Sequence, residues 1–452
     1  MPSFGSTVSG TWSPLRFATA WGIGCLAVVT SLLVIPDPMA ARAGAIASLC
    51  LVLWLTEVVP PFAPTLLLLA SVPLLLAPYG PDHHIGAVLG WLADPVLALF
   101  FGGFTIGAAV TRHGLDGMIA FTALRWSHGS AARLLLWSML ITAGLSMWMS
   151  NIAAMALMLA AMMPALASGS DSMRRALLVG IAMAANVGGM GTPIGSGPNA
   201  IAMGASGDEV TFIRWMAVGV PAVIGALLLV WGLVHFLLLP KNERLSSEKQ
   251  DLPPITRPGW VVIGLVAVTI VGWVSEPWHG IPSSTIALAL AATLFCSRLL
   301  TAEDFLRLDW STLALIGGGI ALGKLIGHTG LVTWFAQALG TGDLPASITV
   351  LLLMMIAALL SAVMSNTATA TMLIPLAAAL DPSPPVLTIM VALACSFGLP
   401  FIISTPQNAM AVGAGARSTD LLRVGLPVMI IGCAMLVLCR PLIPQLFIVV
   451  RN

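Results

Sequence analysis

The chain has 452 residues, of which 58% are hydrophobic and 8% charged, with a mean hydropathy of +1.00 and a formal net charge of +1. Soluble domains carry roughly 25% charged residues, so a soluble domain is excluded and a polytopic integral membrane protein, surrounded by lipid, is implied. A balance this close to neutral gives no footing for a nucleic-acid partner.

Apolar windows near 20 residues predict spans at 17–35, 43–59, 62–79 and 88–111. The first is too long for a signal-peptide core, has only Arg16 as a basic flank and is followed at once by further spans, so it reads as retained. The stretch 133–166 is long enough for two short helices and has Ser150-Asn151 near its middle, which predicts a re-entrant hairpin turning there. The span 176–205 is interrupted by Gly191-Thr192-Pro193-Ile194-Gly195-Ser196-Gly197-Pro198-Asn199, and 210–239 completes the first half. After the charged, proline-containing stretch 240–258 come spans at 259–275, 282–298 and 310–327. A second hairpin follows over 345–380, turning at Ser365-Asn366. The span 385–415 is interrupted at Ser404-Thr405-Pro406-Gln407-Asn408, and 421–447 is the last. The expected fold is all-α, with eleven spans and two hairpins.

The charges agree with that count. With the N-terminus cytoplasmic, fourteen Lys and Arg fall on the inner side and four on the outer, as the positive-inside rule requires. Reading either hairpin as a single crossing would destroy the bias.

The two halves repeat. Ser146-Met-Trp-Met-Ser150-Asn151 recurs as Ser361-Ala-Val-Met-Ser365-Asn366, 215 residues on, and Gly102-Gly103 recurs as Gly318-Gly319, 216 residues on. Trp54-Leu-Thr-Glu57 recurs loosely as Trp273-Val-Ser-Glu276. An odd number of crossings per repeat makes the repeats inverted. Matched helix-breaking segments in two halves are the sequence pointer to a transporter binding site at the bilayer midplane.

Ser146 and Ser150 are four apart, as are Ser361 and Ser365, a spacing that puts both hydroxyls on one helix face with Asn151 or Asn366 just beyond. With the carbonyls freed around Gly195 and Ser404, each set makes a cage of neutral oxygens suited to sodium. No Asp, Glu, Lys or Arg occurs in 134–170, 176–207, 344–380 or 382–416. A cationic solute would call for an embedded carboxylate, whereas an anion can be met by helix N-termini and N–H groups. A small anion coupled to sodium is therefore expected. Gly318-x4-Gly323-Lys324 imitates a P-loop, but Leu325 replaces the magnesium-binding hydroxyl, so no nucleotide site is expected. Lys324, Glu57 and Glu276 read as structural braces. The six cysteines stand singly in apolar runs, which predicts neither disulfides nor a zinc site. The serines have no histidine or aspartate close in sequence, so no enzyme is expected.

These segments resemble the divalent anion/sodium symporter family, the dicarboxylate, citrate and sulfate transporters. The similarity rests on the tips Ser150-Asn151-Ile152 and Ser365-Asn366-Thr367 and on the breaks 192–199 and 404–408. Trp54 to Pro60 and Leu315 to Lys324 add to it. The resemblance implies a homodimer in which a scaffold (1–132 and 259–343) carries a mobile transport part (133–239 and 344–452) in an elevator motion, with 240–258 as cytoplasmic linker. A bacterial inner membrane is the implied setting. It further implies sodium at Ser146, Ser150, Asn151 and Gly195 and at Ser361, Ser365, Asn366 and Ser404. Substrate would contact Asn151, Ser196, Asn366, Thr367, Thr405 and Pro406. Three departures stand out: Ile152 for a tip threonine, and Gly197 and Gln407 for prolines. Without a hydroxyl at Ile152, either the anion is smaller or apolar at one end, or another group such as Gln407 donates. Sodium-independent exchange and transport of sulfate or a monocarboxylate are the competing expectations.

Overall fold

A computed structural model of the protein describes residues 14–240, 254–331, 334, 346–380 and 385–449. Most of the linker 240–258 lies outside them. The described residues form helices and no strands, and seven of the helices are long and apolar enough to cross a membrane. These are Pro14–Val34 (α1), Pro38–Thr56 (α2), Pro95–Arg112 (α5), Phe212–Leu237 (α11), Arg257–Val274 (α12), Trp310–His328 (α16) and the run Ser418–Phe447, which contains Ser418–Cys439 (α21).

Between them lie Ala63–Leu76 (α3), Ile85–Gly90 (α4) and Leu115–Ser127 (α6) in the first half, and Glu276–His279 (α13), Ser283–Cys296 (α14) and Ala302–Leu306 (α15) in the second. The apolar-window reading missed α6 because Asp116 and Arg125 dilute its hydropathy. It also ran 88–111 together, although the chain breaks before Asp94, which caps α5 through Val96 N at 3.0 Å. Pro95 at the first helical position has no N–H to satisfy.

Both hairpins form. The first is Ala131–Ser146 (α7) and Asn151–Ser168 (α8); the second is Ala346–Val363 (α17) and Asn366–Leu380 (α18). Each turns at the serine of the Ser-Asn pair. Ser150 Oγ accepts from Ala153 N and Ser365 Oγ accepts from Ala368 N, both at 3.2 Å. Such N-caps satisfy a donor that the first helical turn would otherwise leave open. They also correct the spacing argument. Ser146 ends one helix and Ser150 starts the next, so the two hydroxyls do not share a helix face.

The broken helices pair in the same way. Asp171–Gly188 (α9) passes through Gly189–Ser196 into Gly197–Ser206 (α10), and Val386–Cys395 (α19) passes through 396–405 into Pro406–Gly413 (α20). Residues Ala176–Gly188 and Val386–Cys395 are buried all round, as expected of helices enclosed by other helices. Arg175 bridges to the buried Asp420 at 3.0 Å and ties α9 to α21.

The repeated glycine pairs explain how the halves close on these elements. A Cβ on Gly102 would lie 2.9 Å from Ala287 Cα on α14, and one on Gly103 would meet Ile194 in the first break at 2.9 Å. A Cβ on Gly318 would collide with Thr65 Oγ1 on α3 at 2.2 Å, and one on Gly319 would meet Ile201 on α10 at 3.1 Å. In each half one glycine of the pair admits a helix from outside the hairpin and break segments, α14 or α3, and its neighbour admits the first break or α10. Small residues allow that close approach where lipid gives no hydrophobic drive for helix association.

Candidate functional site

The first-turn residues of four helices converge on one cavity of about 460 Å³. Its wall includes Ser150, Asn151 and Ile152 from α8, Ser196, Gly197 and Pro198 from α10, Ser365, Asn366 and Thr367 from α18, and Thr405, Pro406 and Gln407 from α20. Helix N-termini carry partial positive charge and open N–H groups. Four of them at one place give an arrangement able to receive an anion without a cationic side chain in the wall. Gly195 and Ser404 also reach the wall. Ser146 and Ser361 do not; both are fully buried behind the tips.

Behind each tip the same cluster recurs. Ser146 Oγ lies 2.6 Å from Asn151 Oδ1 and 2.6 Å from Ala185 O. Ser361 Oγ lies 2.6 Å from Asn366 Oδ1 and 2.6 Å from Cys395 O. A hydroxyl has one proton and donates it to one acceptor, so each cluster holds three close oxygens with a single proton among them. Ala185 and Cys395 stand in the last turns of α9 and α19, where the regular helical pairing of carbonyls ends; Cys395 O keeps one long backbone bond, from Gly398 N at 3.4 Å. An all-oxygen, carbonyl-rich donor set of this kind fits a hard monovalent cation.

Buried asparagines hold the breaks open. Asn199 Nδ2 donates to Gly189 O and Thr192 O, each at 2.8 Å, while Asn408 Nδ2 donates to Leu399 O and Phe401 O, each at 2.9 Å. Thr192 Oγ1 donates to Met147 O, and Ser404 Oγ donates to Ala362 O at 2.9 Å, so each break is fastened to the hairpin before it. Gly189 and Gly195 touch: a Cβ on Gly195 would lie 2.4 Å from Gly189 O.

Several wall residues were not read as site residues in the sequence. Asn186 spans the halves, its Nδ2 donating to Ala182 O at 3.0 Å and Thr405 Oγ1 at 3.2 Å while its Oδ1 has no partner. It is the single amide in the apolar run 176–188, a signal that could have marked it. Phe100, Phe104, Asp309 and Thr312 come from α5 and the start of α16, and no local motif announces them. Glu57, read as a brace, is also in the wall. Its place there depends on a long-range contact.

Two of the three departures gain a physical account. A Cβ on Gly197 would lie 2.3 Å from Thr367 Oγ1, so a proline does not fit at 197 beside Thr367 in this arrangement. Gln407 lines the cavity and is buried, with its Oε1, an acceptor, left without a hydrogen-bond partner. Ile152 is 48% exposed and gives one tip an apolar face.

A model of the citrate transporter family matches residues 51–394. This chain belongs to that family. Among similar proteins, the sodium-dependent dicarboxylate transporter SdcS of Staphylococcus saprophyticus is 30% identical over 444 residues, covering 87% of this chain and 84% of that protein. An uncharacterized transporter of Haemophilus influenzae is 31% identical, covering 86% and 88% respectively. The solved YdaH transporter of Alcanivorax borkumensis shares the fold, with a TM-score of 0.56 at 15% identity over 85% of this chain and 99% of that one. The family resemblance read from the tips and breaks is thus borne out. This member of the citrate transporter family is an integral membrane transporter and not an enzyme.

Proposed function

We propose that this protein is a sodium-coupled secondary transporter of small di- or tricarboxylates. The observation that carries the reading is the pair of matched serine–asparagine–carbonyl clusters flanking one cavity built from four helix N-termini. Sodium is held at Ser146, Ser150, Asn151 and Gly195 and at Ser361, Ser365, Asn366 and Ser404. The anion lies against Asn151, Ile152, Ser196, Asn366, Thr367, Thr405 and Pro406. The name of the staphylococcal relative supports both the coupling ion and the substrate class.

Each cation cluster is separated from the cavity by one asparagine. A cation on Asn151 Oδ1 orders the amide that faces the anion, and its charge offsets the cost of placing a carboxylate in a low-dielectric site. Coupling follows, because neither charge is well accommodated without the other.

The repeats are inverted about the cavity, and the hairpins with their broken helices move as one part against a scaffold in an elevator motion. The matched contacts of Gly102-Gly103 and Gly318-Gly319 support that division, each pair facing the scaffold on one side and the transport part on the other. The protein works as a homodimer in a bacterial inner membrane, N-terminus cytoplasmic. Uptake of radiolabelled succinate into proteoliposomes tests the central reading. Uptake in sodium but not in potassium or choline is expected; equal uptake in choline would favour a sodium-independent exchanger. The apolar face of Ile152 favours one second reading, an anion with a single charged end.

A further inference from the structure

Two carboxylates, Glu57 and Asp309, face the cavity although its solute is read as an anion. Asp309 is locally satisfied: Oδ1 accepts from Thr312 N at 3.0 Å and Oδ2 from Thr312 Oγ1 at 2.6 Å, which caps α16. Glu57 is not occupied in its own element. It ends α2 in the left-handed region, with φ 49° and ψ 28°, a conformation uncommon for a residue with a side chain. Held there, it extends Oε1 to within 3.4 Å of Ser365 N at the second hairpin tip, its one hydrogen bond among the described residues. Packing keeps the two in register, since Met364 and Ala368 on either side of that tip belong to the same apolar cluster as Trp54. The repeat-related Glu276 behaves differently. It accepts from Ser283 Oγ within its own half and makes no such contact with the first tip.

The Ser365 N–H lies at the N-terminal end of α18, the end on which the proposed reading seats a carboxylate of the solute. We infer that Glu57 is a tethered competitor for the transported anion, its carboxylate holding the second hairpin tip until an incoming carboxylate displaces it. The inference rests on the reading of that tip as an anion site. Glu57 is exposed, but two carboxylates cannot both take the Ser365 N–H and they repel at that separation, so Glu57 at the tip and the bound anion exclude one another. Apparent affinity is then the intrinsic affinity reduced by the fraction of time the tip is free. Glu57 thereby sets how much anion is needed to load the carrier, without itself contacting the solute in the loaded state.

Calorimetric titration of succinate into the full-length protein in nanodiscs at saturating sodium tests this. The proteins compared are the wild type, Glu57→Gln, Glu57→Asn and Asp309→Asn. Asparagine is included because it tolerates left-handed backbone, so at least one neutral variant keeps the α2 terminus. Loss of one competing hydrogen bond to a charged acceptor should tighten succinate binding about three- to tenfold in both Glu57 variants. Asp309→Asn, which removes a cavity charge but no tip contact, should change it less than about twofold. Unchanged or weaker binding in the Glu57 variants overturns the inference. So does an equal gain in Asp309→Asn, which would assign the effect to the general field of the wall. If wild type does not bind succinate, the dicarboxylate reading itself fails, a result distinct from a wild type that binds and variants that do not improve.

Discussion

The two hairpin tips carry the same inner cluster and opposite surroundings. At the first tip, Trp148 stacks on Trp273 of α12, with ring centroids 6.3 Å apart and planes 8° apart, and Phe212 lies 4.6 Å from Trp273. At the second tip the position equivalent to Trp148 is Val363, which is 62% exposed, and the Glu57 carboxylate reaches the tip beside the buried Met364. Trp273 and Trp54 are repeat partners, yet only Trp273 joins an aromatic stack on a hairpin tip; Trp54 packs over Gly318 and donates to Pro61 O at 3.0 Å. One tip is docked by an aromatic stack and presents Ile152, while the other, packed through Met364 and Ala368, is also met by a charge and presents Thr367. Both tips keep the same oxygen cluster, while their outer contacts differ.

Removing the aromatic dock should separate the tips most strongly. Trp273 is fully buried, and Trp273→Ala should cost about 3–5 kcal/mol of stability, read as a large fall in Tm of the detergent-solubilised protein. Val363→Ala at the other tip should leave Tm nearly unchanged, because that side chain is mostly exposed. Similar losses in both would break the contrast.

The inner clusters should respond alike. Ser146→Ala and Ser361→Ala each delete an oxygen from a cluster proposed to hold sodium, with an expected effect of about 1.5–3 kcal/mol or roughly ten- to hundredfold in the sodium needed for half-maximal uptake. A sodium titration in which only one variant shifts would show that the repeats are not functionally equivalent.

Gly197 tests the contact between the halves. In Gly197→Ala the new methyl group falls on Thr367 Oγ1, and overpacking of this kind costs about 1–3 kcal/mol. Weaker succinate binding is expected, with partial recovery in Gly197→Ala/Thr367→Ser, where the contact with Cγ2 at 2.6 Å is gone and the hydroxyl is free to turn away. Failure of the second change to restore affinity would place the strain elsewhere.

The smallest effect expected is at Ile152. Because that position is 48% exposed at the cavity, the hydroxyl in Ile152→Thr is not left buried, and a donor to a carboxylate is gained. Succinate should bind roughly tenfold tighter, while a monocarboxylate with an apolar end gains nothing. Equal succinate affinity in wild type and variant would make Ile152 a packing residue only.

What the sequence determined by itself is local or repeated: the Ser-Asn turns, the glycine- and proline-rich breaks and the paired glycines. Helix termination, capping and small-residue packing act over a few residues, so their signals are written contiguously and appear twice. It was silent where the interaction is between distant segments. The four-apart spacing of Ser146 and Ser150 suggested one helix face, but the cap at Ser150 ends that helix and the cluster is completed by Ala185 and Asn151. Short polar helices such as α6 fall below an apolar window because packing against α7, not hydropathy, supports them. Above all, Glu57 read as a brace, since nothing near it in the chain shows that Ser365, 308 residues away, lies against its carboxylate. That contact exists only once α2 and the second hairpin share a core, which tertiary packing alone decides.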